Sequence, residues 1–177
     1  MKVILSMAVS LNGMVAREDG QEDWLPSEGW DEFLVDVEKF RNFVMGRETY
    51  ELVQALYPDH NFDDVSIDPK IIITRNGHYS APETYKVVHT PQEALTLIED
   101  KGLDTALLIG GGKLNSEFLK QGLVDQIWLT YTPHILGKGR PFIAPEDIDI
   151  QLTLMEHEQL SLGRLRAKYS VNKDIHG

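Results

Sequence analysis

Three short stretches of the chain place glycine or arginine directly after an apolar run. They are "FVMGRETY" at Phe43–Tyr50, "IIITR" ending at Arg75, and "LLIGGGKLN" at Leu107–Asn115. Glycines at the opening of a helix leave backbone N–H groups bare, and the aligned peptide dipoles there favour an anion. Arg47, at the start of a helix, opposes that dipole unless an anion offsets it. The chemistry these residues suit is the holding of phosphates. Each stretch alone has a plainer reading: a turn that needs positive φ, or an arginine in solvent. The glycine run also misses two familiar fingerprints. Lys113 is followed by Leu114 rather than Ser or Thr, and Leu107 stands where a Walker loop begins with glycine. Asn115 replaces the third glycine of the dinucleotide pattern. What raises all three above the plain reading is their coincidence at three strand ends, where open α/β sheets bind ligands.

Candidate acids lie in "WLPSEGWDEF". Glu28, Asp31 and Glu32 open a helix there, where acids ordinarily complement the dipole. One that faces a pocket could instead donate a proton. "SLNGMVA", with Gly13, follows the first apolar run and is expected to form a loop over the site. "DHNFDDVSIDPK" spaces Asp59, Asn61 and Asp63 like a calcium loop, but Asp64 takes the place of the obligatory glycine and Lys70 that of the closing Glu. It is read as an acidic surface loop. The six histidines show no metal spacing, so no metal is expected, and His157 and His176 are read as solvated.

The elements that must carry these residues follow from periodicity. "KVILSMAV", "NFVMG", "KIIIT", "YKVVH" and "TALLIG" are short apolar runs of the kind found in strands buried on both faces. Ser27 to Phe40 spaces Trp30, Phe33, Leu34, Val37 and Phe40 as a helix, with Ser27 as the candidate cap. "RETYELVQAL" is a second helix, "TPQEALTLIED" a third with Thr90 as cap and Pro91 at its first position, and "KLNSEFLKQ" a fourth stopped by Gly122. "DQIWLTYTP", "IQLTLMEHEQL" and "LRAKYSV" are long strands, expected to be antiparallel. Alternation of strand and helix, finished by strands alone, predicts an α/β fold. It would have three layers, with helices on both faces of a mixed, mostly parallel sheet and antiparallel strands at its C-terminal edge.

Bulk properties restrict the function. With 177 residues, no repeat and no low-complexity linker, the chain is expected to be a single domain, 1–177. The net charge of -11 disfavours nucleic acid and anionic lipid, so an anionic ligand needs local cations. There are no cysteines, which removes disulfides, thiolate metal sites and thiol nucleophiles and suits a cytoplasmic protein. No run is long and apolar enough to span a membrane, and "MKVILSMAVSLNG" lacks the features of a signal peptide.

Taken together, "AVSLNGMVA", "WLP", "FVMGRETYE", "IIITR", "LLIGGGKLNSEFL" with "GLVD", and "WLTYTP" resemble, in order and over nearly the whole chain, the dihydrofolate reductase-like superfamily. "SLNG" and "GGGKLNSEFLKQGLVDQIWL" look most like the C-terminal reductase domain of the bifunctional riboflavin-biosynthesis deaminase/reductase. The resemblance implies an NADPH-dependent reductase acting on a small molecule, as that domain does on 5-amino-6-(5-phosphoribosylamino)uracil. Dihydrofolate reductase proper and a non-catalytic NADP-binding protein are the alternatives. It implies that Ala8, Leu11, Asn12 and Gly13 border the nicotinamide, and that Gly46, Arg47 and Thr49 hold phosphate. Gly110, Gly111, Gly112 and Lys113 would lie at the pyrophosphate, flanked by Ile109 and Leu114 as further cofactor-binding positions, and Thr74 and Arg75 at the adenosine 2′-phosphate. Thr130 would support an acid, with Glu28, Asp31 or water giving the proton. A homodimer through a sheet edge is expected as well, since a long apolar edge needs cover.

Overall fold

A computed structural model describes residues 1–57 and 62–173 of the chain. Asp59 and Asn61 of the calcium-like spacing, and His176, lie outside the described residues. The strands are β1 (Lys2–Ser10), β2 (Met14–Ala16), β3 (Phe43–Gly46), β4 (Lys70–Ile73), β5 (Tyr85–Val88), β6 (Thr105–Leu108), β7 (Gln126–Thr132), β8 (Arg140–Pro141), β9 (Leu152–Gln159) and β10 (Leu165–Val171). The helices are α1 (Glu28–Phe40), α2 (Arg47–Leu56), α3 (Pro91–Asp100) and α4 (Gly112–Lys120).

Eight strands form one sheet in the order β5-β4-β3-β6-β1-β7-β10-β9. From β5 to β7 every pairing is parallel, and β10 runs antiparallel to both β7 and β9. The mixed, mostly parallel sheet with an antiparallel edge is as expected. One detail differs. "DQIWLTYTP" was expected to be antiparallel, yet β7 lies parallel to β1, with Ala8 opposite Thr130. The helix α4 between β6 and β7 is the cause: a strand–helix–strand crossover brings the second strand back in the same direction.

Alternation along the buried strands sends neighbouring side chains to opposite faces. Val3, Leu5, Val44, Ile71 and Leu108 pack with Ala94 and Ile98 of α3 and Phe118 of α4. Ile4, Phe43, Met45, Ile72 and Leu107 pack on the other face with Val37 of α1 and Tyr50 of α2. Helices therefore cover both faces, giving three layers. Thr90 caps α3 as expected, its hydroxyl accepting from the Glu93 N–H. Ser27 precedes α1 but makes no side-chain cap.

A second, two-stranded sheet joins β2 to β8, with Met14 opposite Pro141 and Ala16 opposite Arg140. Nothing in the periodicity announces so short a pairing. It folds the segment after β7 back over the start of α4, where the Ala144 N–H donates to Gly112 O.

Candidate functional site

A cleft of about 1410 Å³ crosses the C-terminal halves of the parallel strands. It has two chemically different ends.

At the first end, β3, β4 and β6 stop side by side. The Gly46 N–H donates to Gly110 O, at 2.8 Å, so the β3–α2 and β6–α4 turns are tied together. The Gly110–Gly111 peptide is cis, and Gly110 has φ +97° with the Met7 sulfur 2.9 Å from where a Cβ would stand. The caps of α2 and α4 are Gly46 and Gly111, and neither has a side-chain cap. This contrasts with α3, whose cap is filled by Thr90. The first N–H groups of α2 and α4 are thus left for a ligand, the condition under which a helix start binds an anion. A Cβ on Gly111 would come 3.1 Å from Thr49 Oγ1, so the glycine keeps that approach open.

Among the described residues, four cations at this end are each paired with an acid. Arg47 pairs with Glu51 at 3.2 Å, Lys113 with Glu48 at 3.2 Å, Arg75 with Glu117 at 3.3 Å, and Lys120 with Glu146 at 3.0 Å. Arg75 and Lys113 are well exposed, at 86% and 81% of the side chain. The loop carrying Arg75 is fixed: Thr74 Oγ1 accepts from the Asn76 N–H, and the Thr74 carbonyl meets His89 Nδ1 at 2.8 Å.

The other end has a floor of Ala8, Thr130 and Arg166, which are cross-strand neighbours on β1, β7 and β10. Asp36 of α1 accepts from Arg166 and, at 3.4 Å, from Ser6 Oγ. Arg166 also lies over the Trp128 ring. One turn back on α1, Glu32 takes a two-pronged contact from Arg164, both distances 2.8 Å. Arg164 is 1% exposed, and Ser161 accepts two further hydrogen bonds from it.

The wall opposite is the segment 17–27. Gly20 abuts Leu52, the Arg17 guanidinium pairs with Asp23, and Trp24 stacks on His134. Glu22 lines the cleft, its backbone N–H donating to the Tyr57 hydroxyl. Loss of solvent, with no compensating cation, pushes its carboxyl up to about 7.

Of the residues singled out in the sequence, Ala8, Thr130, Gly46, Arg47, Thr49, Thr74, Arg75, Ile109, Gly111, Gly112, Lys113 and Leu114 line this cleft. Gly110 lies beneath it, against Met7. Leu11, Asn12 and Gly13 do not line it. Leu11 is exposed, and the Asn12 side chain binds Ser10 Oγ and both polar groups of the Leu136 backbone, pinning the β1–β2 turn to the loop after β7. Glu28 and Asp31 are exposed on the solvent side of α1, because the 3.6-residue turn carries Gly29, Glu32, Phe33 and Asp36 to the cleft instead. Glu28 and Asp31, the acids expected to give the proton, do not line the cleft in this structure.

Glu22, Asp36, Arg164 and Arg166 were missed. Three of them carried a signal. Glu32 and Asp36 are four apart on a helix, and Arg164 and Arg166 two apart on an extended segment. Each pair shares one face, and the two faces carry opposite charge.

The family model described as the RibD C-terminal domain matches residues 1–165. An uncharacterized protein of Bacillus subtilis (strain 168), YwjB, is 31% identical over 148 residues, covering 79% of this chain and 81% of that protein. The crystal structure of a putative riboflavin biosynthesis protein from Shewanella sp. PV-4 superposes with a TM-score of 0.81 at 23% identity, covering 98% and 100% of the two chains. Dihydrofolate reductase from Enterococcus faecalis, in complex with NADP(H), gives 0.66 at 20% identity over 97% of each chain.

Proposed function

Because the chain belongs to the RibD C-terminal domain family, a family of reductase domains, we propose that it is an NADPH-dependent reductase that delivers a hydride to a C=N or C=O carbon of a small molecule. The observation that carries this reading is the convergence of two uncapped helix starts with Arg75 at one end of a cleft whose other end is lined by carboxylates. Gly46, Arg47 and Thr49 would hold one phosphate group, Gly111, Gly112 and Lys113 the pyrophosphate, and Arg75 with Thr74 the 2′-phosphate. When bound, the nicotinamide supplies the hydride. The chain's own part is to orient and to exclude water. Ala8 and Thr130 form the floor beneath the reacting groups, and the 17–27 segment covers them.

The aminouracil reduced by the riboflavin-pathway reductase is the first substrate to consider. A homodimer through the edge strand β9 would cover Leu154 and Met155, both exposed. Among the described residues no helix is long and apolar enough to cross a membrane.

Calorimetric titration with NADPH tests the cofactor, and loss of the reduced-nicotinamide absorbance tests turnover with 5-amino-6-(5-phosphoribosylamino)uracil and with dihydrofolate. Absence of NADP(H) binding would refute the reductase reading. Turnover of dihydrofolate alone, blocked by an antifolate, would transfer the substrate to folate.

A further inference from the structure

Among the described residues seven carboxylates line the cleft: Glu22, Asp23, Glu32, Asp36, Glu48, Glu117 and Glu146. Six of them are neutralised. Asp23 is held by Arg17, Glu32 by Arg164, Asp36 by Arg166, Glu48 by Lys113, Glu117 by Arg75 and Glu146 by Lys120. Among the described residues Glu22 is the exception, since its carboxyl meets no cation. A cation beside a carboxyl favours its charged form, whereas desolvation without a partner favours its protonated form.

We propose that Glu22 is the proton donor of the reductase, its carboxyl supplying the proton that accompanies hydride transfer. This rests on the reductase reading given above. The step balances with a reduced nicotinamide as the two-electron donor. Hydride forms a C–H bond at the substrate carbon, and the π pair of C=N or C=O moves to the heteroatom. That atom takes the Glu22 proton, leaving a carboxylate that solvent at the cleft mouth reprotonates.

The surroundings of Glu22 suit the role. Its loop is anchored on both sides, by Gly20 against Leu52 and by the Trp24–His134 stack, so the carboxyl is carried on fixed backbone. Tyr57, from the end of α2, binds the Glu22 N–H and is itself held in the neutral form, mainly by burial. Asp19 and Asp23 are the acids on the same loop, with Arg17 committed to Asp23. From the facing segment Arg140 donates to the Glu18 carbonyl rather than to Glu22. Burial, with no cation to offset it, favours the protonated carboxyl.

The test combines kinetics with titration. With whichever of the aminouracil and dihydrofolate is turned over, Glu22→Gln is expected to lower kcat about a hundredfold or more. It is also expected to remove the alkaline limb, centred near 7 in the wild type, from the pH profile of kcat. The NADPH Kd should stay within about twofold, and Glu22→Asp should restore part of the rate with its pH limb. A Glu22→Gln enzyme that keeps its kcat and only raises KM would overturn the proposal, as would a limb that persists. Carbon-13 NMR of the side-chain carboxyls in the NADP⁺-bound protein gives an arm that needs no substrate. The resonance lost in Glu22→Gln must titrate near neutrality, and a midpoint in the ordinary carboxyl range overturns the proposal. Failure of wild-type NADPH binding would sink the reductase reading itself, and the carboxyl titration of the free protein would still decide the state of Glu22.

Discussion

Replacing Arg75 by alanine should weaken NADPH much more than NADH. The magnitude follows from what Arg75 does before a ligand arrives. Its side chain is largely in solvent and its partner is Glu117, at 3.3 Å on the first turns of α4. An exposed pair of this kind contributes about 0–1 kcal/mol. A charge-assisted contact to a phosphate is worth about 1.5–3 kcal/mol. Leaving Glu117 for a 2′-phosphate therefore nets about 1–2 kcal/mol, or roughly a 5- to 30-fold rise in the NADPH Kd on removal of the guanidinium. NADH, with no 2′-phosphate, should change by less than about twofold. The complementary change sharpens the test. Glu117→Gln frees the guanidinium and should tighten NADPH by up to about fivefold. Calorimetry with both cofactors at one fixed salt concentration reads all four numbers. Equal losses for NADPH and NADH in Arg75→Ala, or weaker NADPH binding in Glu117→Gln, would refute the assignment.

Three further outcomes concern the frame of the site. In Gly112→Ala the new methyl would stand 2.4 Å from the Pro141 carbonyl and 3.3 Å from the Ala144 N. Both are backbone, so α4 and the 141–144 segment must separate, at about 2 kcal/mol or more in denaturant unfolding, while Gly29→Ala in the open first turn of α1 should be neutral or stabilising. Asn42 is fully buried and binds the Phe40 and Thr105 carbonyls and the Leu107 N–H. Its change to alanine orphans the Phe40 carbonyl at the end of α1 and two backbone groups of β6, and should cost about 3 kcal/mol by the same measurement. Because the Glu22 carboxyl binds its proton more tightly in the folded chain, between about 4.5 and about 7, its contribution to stability is lost as pH rises through that window. Relative to the wild type, Glu22→Gln should gain about 3 kcal/mol above neutrality and little at acid pH, and a pH-independent difference would contradict the desolvated carboxyl.

The order of strands and helices was legible because the core strands are continuous apolar runs and the helices carry a clear 3.6-residue stripe. Thr90 with Pro91 marked the start of α3 without ambiguity. The first end of the cleft was legible for a related reason: glycine and arginine at three strand ends are local signals, and parallel topology brings those ends together. The acids were not, for two reasons. Glu28, Asp31, Glu32 and Asp36 differ in sequence only by spacing, and a single turn of α1 decides which of them meet the cleft. Glu22 lies on an irregular segment, where no period tells which side faces inward. Asn42 shows the limit most plainly, since its three hydrogen bonds join α1 to a strand about sixty residues away and no local pattern records them.

The ion pairs of the two ends differ in kind, and the difference bears on how an acid-rich chain holds an anion. Arg75, Lys113, Arg47 and Lys120 pair with carboxylates in water, where each pair is worth little and is readily exchanged. A phosphate offers more charge and more acceptors than a carboxylate, so the exchange runs toward the ligand. Until then the acids keep the cations from repelling one another across the tied turns at Gly46 and Gly110. Arg164–Glu32 and Arg166–Asp36 are withdrawn from water, and breaking either would strand a buried charge at about 3–5 kcal/mol. They are not exchangeable on a ligand's account. They fix α1 against β10 and give the second end of the cleft its shape, which leaves Glu22 as the group there that is free to change its protonation state.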